Sequence, residues 1–350
     1  MLQLHVWGVN GEISLISPEC LASAWLLSLI LGPKNESFEI ITSCNTNISD
    51  INKLPVLITP EKKLNGYKEI VSFVEKYQEE SEYYVSSKGT PEKQLIHSCL
   101  LTLLESKIEI INQYNLYSNT KNYEKYTRKL FQHYFPFPMM YNQPLKFHNN
   151  AVAQVKLLGL DKNKTSFFDF TSAFQDTEVA ETEYFNNELS DSEDEDEEGK
   201  DKVALSSLHE KQLLSKSKSK LALRESKNSL RCLILLNHYL QEFIKTYKLL
   251  NNQQDVDSEF GYLFTQNSPS SSELLLYAYL VSLTSENLPD RFISSYLELK
   301  HEGLMSFVNE RITKLQKLLA DNKSRFRPPQ GIEVPNLFNE VGYLVGSIKY

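Results

Sequence analysis

Residues 2–8, LQLHVWG, alternate apolar and polar positions, a period of two that predicts a strand ended by Gly8. A helix follows on local signals: Ser17 as N-cap, Pro18 at the first helical position, Glu19 in the first turn, and Gly32-Pro33 as a stop after Leu31. Cys20 to Leu31 is apolar almost all round, so this helix should be buried against a sheet. Phe38–Ser43 reads as a second strand, the stretch from Leu54 as a third and Lys63-Leu64 as a short fourth. A helix over Gly66–Gln78 closes the unit.

From Pro91 the period lengthens to that of helices. Leu95, Cys99, Leu103, Ile110 and Ile111 mark the apolar side of the first, and a second runs from Tyr123 to Tyr134. The prolines of Phe135–Pro144 predict an extended, irregular path, with another helix starting near Asn149. Leu233, Leu236, Leu240, Phe243 and Tyr247 recur at helical spacing over Leu230–Leu250. Ser270 and Glu273 have capping-box spacing ahead of a further apolar helix. Helices over Pro289–Leu299, Glu302–Leu319 and Asn336–Ile348 complete a second half that reads as all helical.

Strand, helix, strand, a loop, two strands and a helix is the order of a thioredoxin-like domain, in which Pro55 would be the cis-proline. Residues 1–80 form that domain; 91–160 and 228–350 form an all-helical domain, and 161–227 form an insertion. The whole is an α+β, glutathione-transferase-like architecture. Residues 165–199 contain no lysine or arginine, and Lys216, Lys218 and Lys220 alternate with serines after them. Such segments bury too little apolar surface to offset ordering entropy, so the insertion is expected to be mostly disordered, with helix towards its C-terminal end.

The net charge of the 350 residues is -8, which argues against nucleic-acid binding. Cys20, Cys44, Cys99 and Cys232 form no C-x-x-C pair and read as reduced, mostly buried thiols; the histidines are scattered, and no metal site is expected. The N-terminus has neither a secretory nor a presequence pattern, and the longest apolar stretch is too short to cross a bilayer.

A glutathione enzyme needs a hydroxyl or thiol after the first strand and an acid–serine pair at the start of the third helix. Trp7-Gly8-Val9-Asn10-Gly11 offers no such group in the usual place, leaving Ser14 or Ser17 as substitutes, and Gly66-Tyr67 replaces the acid–serine pair. Both grips are lost, so neither catalysis nor a cofactor is expected. Two stretches read instead as partner surfaces. Phe135, Phe137, Met139 and Met140 either pack between domains or form an apolar patch. The run Glu193, Asp194, Glu195 and Asp196 is either a solvated tail or an attachment to a basic surface, and Ser190 and Ser192 beside it suit acidophilic kinases.

LHVWGVNGEISLIS, KLPVLI with NGYKEIVSFV, NTKNYEKYTRKLFQHYFPFPMMYNQPL and LKHEGLMSFVNERI together resemble the metaxin family, and within it the metaxin-like subunits of the fungal sorting and assembly machinery (SAM complex). The resemblance implies a non-enzymatic subunit on the cytosolic face of the mitochondrial outer membrane. Its implied partners are a membrane-embedded barrel subunit, a second metaxin-like subunit and the general import pore. Its implied role is to support insertion and release of β-barrel precursors, with membrane attachment mainly through partners. A glutathione-transferase-like enzyme and a soluble cytosolic adaptor are the alternatives.

Overall fold

The computed structural model describes residues 1–32, 37–75, 91–160, 207–251, 262–264, 268–348 and 350. Strand β1 (Leu2–His5) is central in a five-stranded mixed sheet. A hairpin of β2 (Gly8–Val9) and β3 (Glu12–Ile13) follows it, where the sequence pattern ran one strand on to Gly8. Helix α1 (Pro18–Ile30) leads to β4 (Phe38–Ile41), which lies parallel to β1 with Leu2 opposite Phe38. Then β5 (Val56–Ile58) pairs antiparallel with β1, and β6 (Lys63–Asn65) antiparallel with β5. Helix α2 (Gly66–Val74) completes the expected thioredoxin-like order, and the Leu54–Pro55 bond is cis.

Every residue of α1 except Glu19 is buried, as its all-round apolarity requires. Its main partner comes from the helical half: α9 (Ser271–Leu283, numbered in sequence), in which only Val281 escapes burial. The start of α9 is fixed as the sequence indicates, with Ser270 N–H donating to Glu273 Oε2 at 2.8 Å. The core therefore lies between the sheet, α1 and α9, and the architecture is α+β and glutathione-transferase-like.

Between them run α3 (Pro91–Leu103), α4 (Glu109–Gln113), α5 (Thr120–Asn122) and α6 (Arg128–Tyr134), joined by π-helical turns at Leu104–Ile108, Tyr114–Ser118 and Tyr123–Thr127. The buried stripe is His97, Leu100, Leu101, Leu104, Ile108 and Ile111, whereas Leu95 and Cys99 are exposed. Leu95, Cys99 and Leu103 keep helical spacing as well as His97, Leu100 and Leu104 do. Spacing alone could not choose between the stripes; packing against α9 does.

Only Phe135–Pro138 lies outside a helix there, turning at the cis Phe137–Pro138 bond; α7 (Met139–Leu157) starts ten residues before the expected Asn149. Pro144 lies in its second turn and costs one helical hydrogen bond there, so the helix tolerates it. After it come α8 (Ser207–Asn251), α9, α10 (Phe292–Lys300) and α11 (Glu302–Asp321). The C-terminal part is not purely helical: β7 (Phe326–Arg327) adds to the sheet edge, parallel to β4, before α12 (Leu337–Val345). Two residues carry too little alternation to be read as a strand. Arg327 ties β7 down, donating to Glu39 at 2.9 Å and to both Glu333 oxygens at 2.6 and 2.8 Å.

The chain divides into two compact units, one of Met1–Val155 with Cys232–Tyr350 and one of Lys156–Arg231. The described part of the second consists of residues 156–160 and the first part of α8, whose helix begins at Ser207.

Candidate functional site

At the end of β1, where a glutathione enzyme presents its activating hydroxyl, Trp7 is packed into an aromatic cluster. Its ring meets Phe131, Phe135 and Phe147 edge-on, with centroids at 6.0, 5.9 and 5.6 Å. The two substitute hydroxyls are engaged. Ser14 Oγ accepts from Ile16 N–H at 3.3 Å, and Ser17 Oγ donates to the Leu54 carbonyl at 3.4 Å. Burial pushes the Cys20 and Cys44 thiols up to about 12, so neither forms a thiolate nucleophile near neutral pH.

The second grip is absent for a backbone reason as well as a chemical one. Gly66 has φ +76°, a left-handed conformation that a serine or acid would strain to adopt. Tyr67 is turned inward, with its hydroxyl donating to the Ser271 carbonyl at 2.7 Å, so it ties α2 to the start of α9.

Beside these positions lies a cavity of about 1170 Å³, walled by Trp7, Ser17 and Leu54 on the sheet side and by residues of α4, α7 and α12 opposite. Four carboxyls line it: Glu19, Glu105, Glu109 and Glu340. Glu19, half-buried in the cavity wall, is raised to about 8 by desolvation there and then by Glu109 and Glu105, with Lys53 opposing. Glu105 and Glu109 are also raised, chiefly by burial; Gln113 Nε2, donating to Glu109 at 2.9 Å, works the other way. Among the described residues no three His, Cys, Asp or Glu side chains cluster to hold a metal ion.

The raised Glu19 gives a pH signature. Its folded value, about 8, exceeds the ordinary 4.5, so its stabilising contribution is complete below about 4.5 and is lost as pH rises through about 8. Glu19→Gln keeps a neutral side chain at every pH. It should flatten the stability profile and exceed the parent at pH 9 by roughly 1–3 kcal/mol, read by urea unfolding at pH 5 and 9.

The four aromatic and methionine candidates separate. Phe135 and Met139 are buried, Met140 is half-buried, and Phe137 is 79% exposed with its ring edge against Tyr141. Glu193, Asp194, Glu195 and Asp196, with Ser190 and Ser192, lie outside the described residues. Two further features have roles that the sequence did not reveal, although the first is among the stretches that carry the family resemblance. The Asn119-Thr120-Lys121-Asn122-Tyr123 stretch is a buried lock: Asn122 Nδ2 donates to Asn115 O and Oδ1 and to Asp290 O at 3.0–3.1 Å, and Asp290 N–H returns a bond to Asn122 Oδ1 at 2.7 Å. The other is the outward apolar face of α12, whose signal is apolar residues at 337, 338, 341, 344 and 345.

No helix among the described residues is long and apolar enough to cross a membrane. A glutathione S-transferase of Ceriporiopsis subvermispora, solved in complex with glutathione, is similar at 11% identity and TM-score 0.46, covering 91% of this chain and 97% of that one. Glutathione S-transferase III in apo form is similar at 15% identity and TM-score 0.26, covering 47% and 71%. The fold assignment stands on the strand order and register themselves. No curated protein matches the chain significantly. Two family models do match, and together they span most of the sequence: Tom37, the outer mitochondrial membrane transport complex protein, over residues 20–148, and the Tom37 C-terminal domain over residues 185–348. The chain therefore belongs to the metaxin-like Tom37 family, components of an outer mitochondrial membrane transport complex.

Proposed function

We propose that this chain is a non-enzymatic subunit of the SAM complex, seated peripherally on the cytosolic face of the outer membrane, where it supports insertion and release of β-barrel precursors. The observation that carries the non-enzymatic reading is the loss of both glutathione grips, with Trp7 in the aromatic cluster and Tyr67 bonded inward to Ser271. Family membership supports the membrane transport setting.

The physical role follows from the substrate. A barrel precursor has unpaired strand edges, which are costly in lipid until the barrel closes. A rigid subunit on the cytosolic mouth of a membrane-embedded barrel holds the assembly by contact, without bond chemistry. Its proposed partners are that barrel subunit, a second metaxin-like subunit and the general import pore, with Phe137 as the exposed member of the candidate contact stretch. The acidic run at 193–196 is proposed to engage basic partner surfaces. Import of a radiolabelled barrel precursor into mitochondria with and without this chain tests the proposal: assembly is expected to fall without it.

A further inference from the structure

Helix α12 is inside out. Its polar residues face the protein: Asn339 Nδ2 donates to the Gly331 and Val334 carbonyls at 3.0 and 2.9 Å, the Tyr343 hydroxyl donates to the Ile332 carbonyl at 3.2 Å, and Gln143 donates to Glu340. Its apolar residues face out, with Phe338 87%, Leu344 85% and Val345 72% exposed, and Leu337 and Val341 beside them. Spacing of i, i+1, i+4, i+7 and i+8 puts these five on one face, which carries no hydrogen-bonding side chain. In water this orientation is unfavourable, so the face belongs against an apolar phase.

Lysines flank it. Lys146, exposed, lines the cavity shared with Tyr343 and Leu344, and Lys323, exposed, lines a groove with Val334 and Pro335 just ahead of α12. The acids nearest the helix are engaged: Glu333 by Arg327 and Tyr350, Glu340 by Gln143. Glu19, Glu105 and Glu109 line the same cavity as Leu344, but burial there disfavours their ionised forms. In a chain of net charge -8, lysines at both ends of an apolar face are complementary to anionic headgroups around an apolar interior.

We propose that the apolar face of α12 lies in the surface of an anionic lipid bilayer, with Lys146 and Lys323 reaching the headgroups. The nine-residue helix is about 13 Å long, too short to span the ~30 Å hydrocarbon core but suited to lie in its interface. A second copy is the poorer occupant, because two crossing helices of this length cover only part of the ~800 Å² per partner of a stable pair. The inference rests on the peripheral placement proposed above and adds a direct lipid contact to attachment through partners.

Co-sedimentation of the full-length chain with phospholipid vesicles tests it, using neutral phosphatidylcholine alone and phosphatidylcholine with phosphatidylglycerol. The chain is expected to bind the anionic vesicles, and the Phe338→Glu, Leu344→Glu double variant to lose about tenfold or more in affinity. Both positions are exposed, so its fold, checked by circular dichroism, should be unchanged. Lys146→Glu with Lys323→Glu should weaken binding to anionic vesicles, and added salt should do the same to the parent. No binding by the parent, or equal binding by the apolar-face variant, overturns the proposal. A concentration-dependent dimer that the same variant abolishes, without vesicle binding, also overturns it and assigns the face to a second copy. Vesicle failure alongside a barrel-assembly defect rejects only this inference, whereas vesicle binding without that defect rejects only the SAM reading.

Discussion

Replacing Asn122 with alanine should destabilise the folded chain by about 3 kcal/mol. The side chain is fully buried and joins the 115–122 segment to the loop at Asp290 through bonds to Asn115 O, Asn115 Oδ1, Asp290 O and Asp290 N. Alanine keeps none of them and leaves the Asp290 N–H and the Asn115 groups without that partner. Each such bond contributes about 1 kcal/mol net, and an orphaned buried group costs about 1–3 kcal/mol, so a sum near 3 allows for partial relaxation. Lys121→Ala, one residue away and exposed, should change stability by no more than about 0.5 kcal/mol. Urea unfolding of the two variants gives the comparison. A loss below about 1 kcal/mol for Asn122→Ala would show that the lock is not a main tie between these segments.

Trp7→Ala should cost about 4 kcal/mol. The ring is 6% exposed and touches Phe131, Tyr134, Phe135 and Phe147, so alanine removes the hub of the cluster that joins β1 to α6 and α7. Aromatic-to-alanine changes in cores cost about 3–5 kcal/mol, from lost transfer energy and the void left behind. Trp7→Phe retains most of the contact and should cost roughly half as much. Thermal and urea unfolding would register both, and equal small losses for the two would mean that the cluster collapses around the missing ring.

The same residues show how much could be read in advance. Helix α1 was legible because Ser17, Pro18 and Gly32 punctuate it locally and its burial follows from apolarity on every side. The loss of the glutathione grips was legible at Gly66 and Tyr67, since residue type alone removes the carboxyl and the hydroxyl pair. What Tyr67 does instead was not, because its bond runs to Ser271, far away in sequence. The stripe on α3 was misplaced because two sets of apolar residues share one helix and only α9 distinguishes them. Strand β7 is defined by pairing with Ile40 and Ile41 and has almost no pattern of its own. For α12 the amphipathic spacing was present, but spacing cannot say whether the apolar face points in or out; the inward bonds of Asn339 and Tyr343 decide it.

The central claim is that assembly depends on this chain by contact and not by chemistry. Barrel-precursor import measures this most directly, in mitochondria lacking the chain and supplied with either the parent or a variant carrying Ser14→Ala and Ser17→Ala, the two hydroxyls nearest the vacant nucleophile position. The account predicts that assembled barrel is lost without the chain, that a matrix-targeted precursor is imported regardless, and that the double variant restores assembly as the parent does. Undiminished barrel assembly without the chain, or a folded double variant that fails to restore it, would contradict the account.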